Sequence, residues 1–338
     1  MSIALDATYS LGRNLSGVGV YSREILFGLA CAHREEKFLF SYRPHRFLRS
    51  FQEALPPNAR RRLLRGVPRA DLFHALNQRV DLRARRTVST FHDLFVMTGE
   101  YSKPDFRSRF TAQARSAAEQ SDLIIAVSRF TASQVEQLLG VEPARIRIVP
   151  HGVHLPAPRE QARENLVLSV GAIQRRKNVA RLVKAFETMP AGWSLVLAGA
   201  ADGYGAAEEL RAVERSPRRA DISVPGYVPA ASLESLYRRA RIFAFPSLDE
   251  GLGMPVLEAM AHGAAVITSN RSALPEVAGE GALLVNPEDI DDIATALARL
   301  AADEVLRERL AARGLERARQ FTWESAVERT WAVYRELL

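Results

Sequence analysis

The chain has 338 residues and a formal net charge of +7, with 47% hydrophobic and 25% charged residues. That length favours two domains over one core, and that composition excludes disordered and fibrous classes. No apolar run approaches the roughly 18–20 residues that span a bilayer. The single cysteine, Cys31, rules out an intramolecular disulfide and any multi-cysteine metal site. The start, MSIALDATYSLGRN, reads as a first strand and not a signal peptide, so a cytoplasmic, metal-poor protein is expected. The charge is uneven. Residues 1–165 carry 25 Lys and Arg against 16 Asp and Glu, and residues 166–338 carry 21 against 23. Only four of the 46 basic residues are lysines: Lys37, Lys103, Lys177 and Lys184.

Short apolar runs alternate with amphipathic stretches throughout, the pattern of an α/β protein. In the first half, strands are expected at Ser2–Asp6, Phe38–Tyr42, Ala70–Ala75, Thr87–Phe91, Leu123–Val127 and Ile146–Val149. Helices are expected near 18–32, 104–120 and 129–139. Ser128 suits an N-cap and Gly140 a left-handed helix end. Residues 150–164 hold three prolines and no apolar periodicity, and read as a linker. Strands resume at Leu166–Val170, Ser194–Ala198, Asp221–Val224, Ile242–Phe245, Ala265–Thr268 and Ala282–Val285. Helices fall near 178–188, 205–215, 231–240 and 254–262, and the end is helical near 288–301, 303–319 and 323–337. Tyr9, Trp193 and Trp323 read as packing residues. The expected fold class is two Rossmann-like parallel-sheet domains: 1–155, 156–320, and a terminal helix at 321–338 that crosses back to the first domain.

Four stretches carry the chemistry. Phe245–Ala264, FPSLDEGLGMPVLEAMAHGA, runs from a strand end through an acidic glycine turn into a helix, with Pro255 at the first helical position. A strand, a glycine turn and a helix N-terminus together make a phosphate cradle. Glu250 would face what lies beyond the phosphates. Glu258, an acceptor-only group, can hold a ribose diol. The second stretch, GAIQRRKNV at Gly171–Val179, places Arg175, Arg176 and Lys177 at a strand end, where they would stabilise charge on a leaving diphosphate. The third, Ser16–Tyr21, has two glycines that allow close backbone approach. The fourth, Thr90–Leu94, sets His92 and Asp93 at another strand end. Asn77, Ser102 and Arg271 are weaker candidates, and the remaining histidines show no metal-ligand spacing.

These stretches resemble the E-x7-E region of retaining, nucleotide-sugar-dependent glycosyltransferases of family four, which have the two-domain GT-B fold with a central cleft. The resemblance rests on DEGLGMPVLEAMAHGAAVITSNRSALPEV and GAIQRRKN. SGVGVY, FHDL, VSRFTASQV, VPHGV, VPGYV and the C-terminal FTWESAVERTWAVYREL fall in the same order. It implies that Glu258 holds the ribose, Glu250 the donor sugar hydroxyls, and Arg176 and Lys177 the diphosphate. Backbone amides of Gly251, Leu252, Gly253 and Met254 would contact sugar and phosphates, with Gly171 ending the strand. The stretch Val224, Gly226, Tyr227, Val228 would line the base. Gly17 and Gly19 would lie near the diphosphate, His92 near the sugar and acceptor, and Asp93 and Tyr21 on the acceptor side. Many members have an arginine where this chain has Ala172, so Arg175 or Arg176 would supply that cation.

The implied reaction is attack by an acceptor hydroxyl on the leaving-group face, with no cofactor and no metal. The variant motifs look most like bacterial enzymes that use GDP-mannose for O-antigen or exopolysaccharide, with GDP-, dTDP- or UDP-linked donors as alternatives. The acceptor would be a saccharide or a polyprenyl-diphosphate-linked glycan. A GT-B epimerase shares the fold but lacks this motif pair. Nucleic-acid binding has arginines in its favour but no accompanying pattern. A dehydrogenase would need glycine where Ser22 stands. The arginine-rich face near 43–69 and 83–86 suits an anionic membrane surface, so a peripheral place on the inner face of the plasma membrane is also expected.

Overall fold

The computed structural model describes residues 1–12, 14–66, 69–80, 83–157 and 162–338. Part of the expected linker, residues 158–161, lies outside them. The chain divides into two compact units. The first holds Met1–Thr98, Pro104–Gly152 and Thr322–Leu338, and the second Gly99–Lys103 and Val153–Phe321. The divisions expected from sequence, 155/156 and 320/321, differ from these by a few residues and leave Gly99–Lys103 in the first domain.

The first unit is a seven-stranded sheet in the order β3-β2-β1-β4-β5-β6-β7. Its strands are β1 (Ser2–Asp6), β2 (Lys37–Tyr42), β3 (Ala59–Leu63), β4 (Leu72–Ala75), β5 (Thr87–Phe91), β6 (Leu123–Ala126) and β7 (Ile146–Ile148). Every pairing is parallel. Central strands such as β4, β5 and β6 are buried along their whole length, as a sheet covered on both faces requires. Strand β3, ARRRL, was not expected, because three consecutive arginines carry no apolar alternation. It is an edge strand, the place where charged residues protect unpaired backbone.

Helix caps explain several boundaries. Ser128 accepts from the Thr131 amide at 2.9 Å, and Gly140 closes the helix Arg129–Leu139 in the left-handed conformation with φ 66°. Ser16 caps Gly17–Ala32 through the Gly19 amide at 3.3 Å, so both glycines are helical and not part of a turn. The C-terminal helix Trp323–Arg335 begins on the Thr322 cap. It meets the helix Gly17–Ala32 closely: a Cβ on Gly28 would lie 2.5 Å from Val327 Cγ2. Trp193 and Trp323 are buried, whereas Tyr9 is exposed and does not serve the core.

The second unit is a six-stranded parallel sheet in the order β10-β9-β8-β11-β12-β13. Its strands are β8 (Glu164–Val170), β9 (Ser194–Ala198), β10 (Ile222–Gly226), β11 (Ala240–Phe245), β12 (Ala265–Ser269) and β13 (Ala282–Val285). Leu182, Val183 and Phe186 of the helix Val179–Phe186 pack in one core with Val167, Leu195, Ile242, Ile267 and Leu297. Strand order reverses between β1 and β4 in the first sheet and between β8 and β11 in the second. In parallel sheets, ligands bind beyond the carboxyl ends of the strands at such a reversal.

Candidate active site

In the second unit the loops leaving β8 and β11 emerge side by side at that reversal, and hydrogen bonds join them. The Leu248 amide donates to the Arg176 carbonyl at 2.8 Å, and Ser247 Oγ lies 3.1 Å from the same carbonyl. Asn178 sits in the left-handed region with φ 60°, which asparagine tolerates better than most residues. From there its Nδ2 donates to the Pro246 carbonyl at 3.0 Å and to the Pro287 carbonyl at 2.6 Å. The sequence marked Asn178 only as a helix start. Its work is to fasten the two loops.

The expected ionic residues converge. Lys177 Nζ lies 2.6 Å and an Arg176 terminal nitrogen 2.7 Å from Glu250 Oε1, and Ser247 Oγ donates to the same oxygen at 2.6 Å. Arg176 also donates to the Asp249 carbonyl. Burial alone would raise the Glu250 carboxyl, but Arg176 and then Lys177 outweigh it and hold the group at about 2. Lys177 Nζ also stands 4.5 Å from the Phe245 ring centre, a cation–π contact. Gly171, at φ 141°, leaves room for this lysine: a Cβ there would meet Lys177 Cε at 3.2 Å. Arg175 behaves differently. Its side chain is 41% exposed and pairs with Glu208 at 2.8 Å. Of the two arginines that could stand in for the one absent at Ala172, Arg176 is the one beside Glu250.

The cradle continues into the helix Met254–Ala261. Gly251 and Leu252 are buried, and Gly253 takes φ 94°, where a Cβ would meet Leu274 Cδ2 at 2.5 Å. The helix starts at Met254, which moves Pro255 to the second position from the expected first. Neither a side-chain cap nor an acid occupies its first turn. An uncapped helix start at the positive end of the dipole suits an anion. Glu258 follows one turn in. Tyr237 donates to its Oε2 at 2.7 Å, and burial raises its carboxyl. Tyr237 itself stacks on His262, with ring centres 5.2 Å apart. These two partners of the Glu258 turn had no signal in the sequence. Gly226 ends β10 at φ 73°, Val224 leans on the core, Val228 is half-buried, and Tyr227 is 49% exposed.

Residues Gly99–Lys103 also belong to this unit. Burial raises the Tyr101 hydroxyl, and the Asp249 carboxylate adds to that, so Tyr101 shares the electrostatic surroundings of the loop after β11. Nothing in the residue spacing pointed to it.

In the first unit, His92 follows β5 but is buried, with both ring nitrogens engaged. Nε2 lies 2.9 Å from the Leu76 carbonyl and Nδ1 lies 3.1 Å from His151 Nε2. A carbonyl only accepts, so Nε2 carries the hydrogen and Nδ1 accepts from His151. Burial pushes the His92 imidazole down to about 4, so it is neutral at pH 7. Tyr21, expected on the acceptor side, is instead fully interior. Its hydroxyl pairs with Thr90 Oγ1 at 2.9 Å, and its ring stacks on His151 at 4.6 Å. His74 completes the cluster, 2.8 Å from Thr90 Oγ1 and 2.6 Å from the Tyr334 hydroxyl. Neither His74 nor His151 was singled out by sequence, since their partners are distant along the chain. Asp93 is half-buried. Gly17 is open, whereas a Cβ on Gly19 would lie 2.9 Å from the Tyr9 carbonyl. Among the described residues, no three His, Cys, Asp or Glu side chains cluster as a metal site would need.

Residues 9–156 match the family model described as Glycosyltransferase Family 4, and residues 155–317 match that of Glycosyl transferases group 1. O-antigen chain mannosyltransferase B of Escherichia coli is 32% identical over 283 residues, which cover 79% of this chain and 74% of that protein. Serotype-specific mannosyltransferase WbdA of E. coli is 29% identical over 260 residues, 70% of this chain but 32% of WbdA. This chain thus spans only part of the length of that relative. Among solved structures, sucrose-phosphate synthase from Thermosynechococcus elongatus superposes with a TM-score of 0.81 at 22% identity, over 99% of this chain and 98% of that one. Anabaena HepE, solved with UDP and glucose, gives 0.76 at 16% identity, over 99% and 100%. The fold is therefore GT-B, with a sheet in each unit. The chain belongs to glycosyltransferase family 4 and is a retaining hexosyltransferase.

Proposed function

We propose that the chain moves mannose from GDP-mannose, with retention, onto a glycan or a polyprenyl-diphosphate-linked saccharide of a bacterial surface polysaccharide. The E. coli relatives, named as mannosyltransferases, support the sugar. The observation that carries the chemistry is the convergence of Arg176 and Lys177 on Glu250 at the strand reversal. Two fixed cations there stabilise the departing nucleoside diphosphate, the service a divalent ion gives in other phosphate sites, so added metal is not needed. All three donors to Glu250 fall on Oε1, and the donor sugar hydroxyls then engage Oε2. Glu258 takes the ribose diol through Oε1, since Tyr237 holds Oε2. The amides of Leu252–Met254 take the phosphates, and Val224–Val228 lines the base. The acceptor hydroxyl attacks from the leaving-group face, and a β-phosphate oxygen takes its proton. The enzyme works at the cytoplasmic face of a membrane.

Calorimetric titration with GDP, UDP, dTDP and ADP and their sugars, with and without EDTA, tests this. Tightest binding by GDP, mannose release from GDP-mannose and indifference to EDTA are expected. Tighter binding by UDP or dTDP moves the donor assignment, and binding by none of them sinks the site.

A further inference from the structure

One surface of the first unit lies outside this chemistry. After β2 the chain forms a helical turn, Pro44–Phe47, that tightens into a 3-10 segment, Leu48–Gln52. Leu48 is 81% exposed and Phe51 63%. Residues three apart in a 3-10 segment stand one above the other, so these two apolar side chains form a single prominence. The exposure is built in. Ser50 is buried, its Oγ donates to the Phe47 carbonyl at 2.6 Å, and Arg61 of β3 donates to the Ser50 and Glu53 carbonyls from beneath. Arg61 also lies 5.2 Å from the Phe51 ring centre, and Phe47 meets that ring edge-on at 5.5 Å.

The surroundings are cationic. Residues 43–69 contain eight arginines and one acid, Glu53, which pairs with Arg23. Arg43 is spent on Asp6 and Arg61 on the segment itself. Arg49, Arg60, Arg65 and Arg69 are exposed, and Arg46 and Arg62 half-buried. A protein partner could offer an apolar socket or an acidic rim. An anionic bilayer offers an apolar layer directly beneath a phosphate layer, so a single occupant suits both the apolar tips and the arginines.

We infer that Leu48 and Phe51 seat in the headgroup–acyl boundary of an anionic membrane while the surrounding arginines bind lipid phosphates. The segment leaves the carboxyl end of β2, the same end of the sheet as His92 after β5, because all seven strands are parallel. Seating there brings a lipid-linked acceptor to the ligand end of the sheet. That last consequence rests on the glycosyltransfer proposed above, but the seating itself does not.

Sedimentation with phosphatidylglycerol/phosphatidylcholine vesicles, against phosphatidylcholine alone, tests the inference. The full chain should bind only the anionic vesicles. The double variant L48S/F51S, with charge unchanged, should bind at least about tenfold more weakly, since two large apolar side chains lose their burial. Its melting temperature and GDP binding should equal those of the unmodified chain. The single variant Phe51→Trp should show blue-shifted fluorescence on vesicles, quenched by brominated acyl chains. No binding to anionic vesicles, full binding by L48S/F51S, or an unshifted Trp would each overturn the seating. Failure of the unmodified chain to bind any nucleotide would instead strike the donor-site reading and leave the seating intact.

Discussion

Lys177 and Glu250 lie 73 residues apart in sequence, yet the ammonium of one stands 2.6 Å from the carboxylate of the other. Both are held by neighbours within the same unit: the lysine by Gly171 and Phe245, the glutamate by Ser247 and Arg176. Charge fixed before the reaction costs no reorganisation when the diphosphate departs. Lys177→Ala should lower kcat by about 10²-fold or more, the scale for losing such a stabiliser. Near-normal turnover in steady-state assays would remove Lys177 from the mechanism.

Glu250→Gln tests the opposite partner. It removes the buried carboxylate that pairs with both Arg176 and Lys177, a change that typically costs about 3–5 kcal/mol. The carboxyl sits at about 2 against an ordinary 4.5. Its ion pairs therefore stabilise the fold fully above 4.5, and that stability disappears as pH falls through 2. Urea denaturation from pH 2 to 7 should show this acid limb in the unmodified chain and a flattened one in the variant.

Glu258 should discriminate the ribose. A hydrogen bond to a charged group contributes about 1.5–3 kcal/mol, so Glu258→Ala should weaken GDP binding about 10- to 100-fold. The same variant should bind 2′,3′-dideoxy GDP as the unmodified chain does, because that ligand has no diol to lose. Burial raises this carboxyl, so nucleotide binding should strengthen as pH rises through its titration. Calorimetry with both nucleotides decides; equal losses would mean that Glu258 acts on the fold and not on the sugar.

The histidine cluster gives a different acid response. Burial holds His92 near 4 and His74 near 3, against 6.5 for a free imidazole. Between those limits the unfolded chain takes up protons that the folded chain refuses, so stability falls as pH drops below 6.5. For His92 alone the loss is on the order of 3 kcal/mol once pH passes 4. Melting curves between pH 4 and 8 should slope steeply, and His92→Gln should reduce the slope.

Gly17 and Gly19 should separate fold from function. A methyl at Gly19 runs into the Tyr9 carbonyl, and overpacking of this kind costs about 1–3 kcal/mol. Gly17 has open space around it, so Gly17→Ala should leave the melting temperature within a few degrees while lowering turnover if the diphosphate approaches that backbone. Unchanged turnover in Gly17→Ala would release Gly17 from the donor site.

The parallel sheets and most helix ends were legible in the sequence because buried strands are apolar runs and caps are local. Ser128, Gly140 and Pro255 announce their helices within four residues. Strand β3 was hidden because an edge strand need not be apolar. Within the candidate site, the grouping of Arg176, Lys177 and Glu250 was readable because each lies in a short motif beside a strand end. Asn178, Tyr237, His74, His151 and Tyr101 were not. Their contacts depend on residues in other elements, from 16 to 260 positions away, and no single stretch encodes them.

The first unit is assembled from three separate pieces of sequence, and Thr322–Leu338 is the last of them. On the ribosome, its sheet emerges long before the helix that carries Val327 and Tyr334. Until all of the second unit has been synthesised, Gly28 faces no Val327 and the ring of His74 has no tyrosine hydroxyl to hold. The half of the enzyme made first is therefore the half finished last. Chains halted before residue 322 would carry the whole second unit and, in the first, an open apolar seam, the kind of nascent chain that chaperones and proteases recognise.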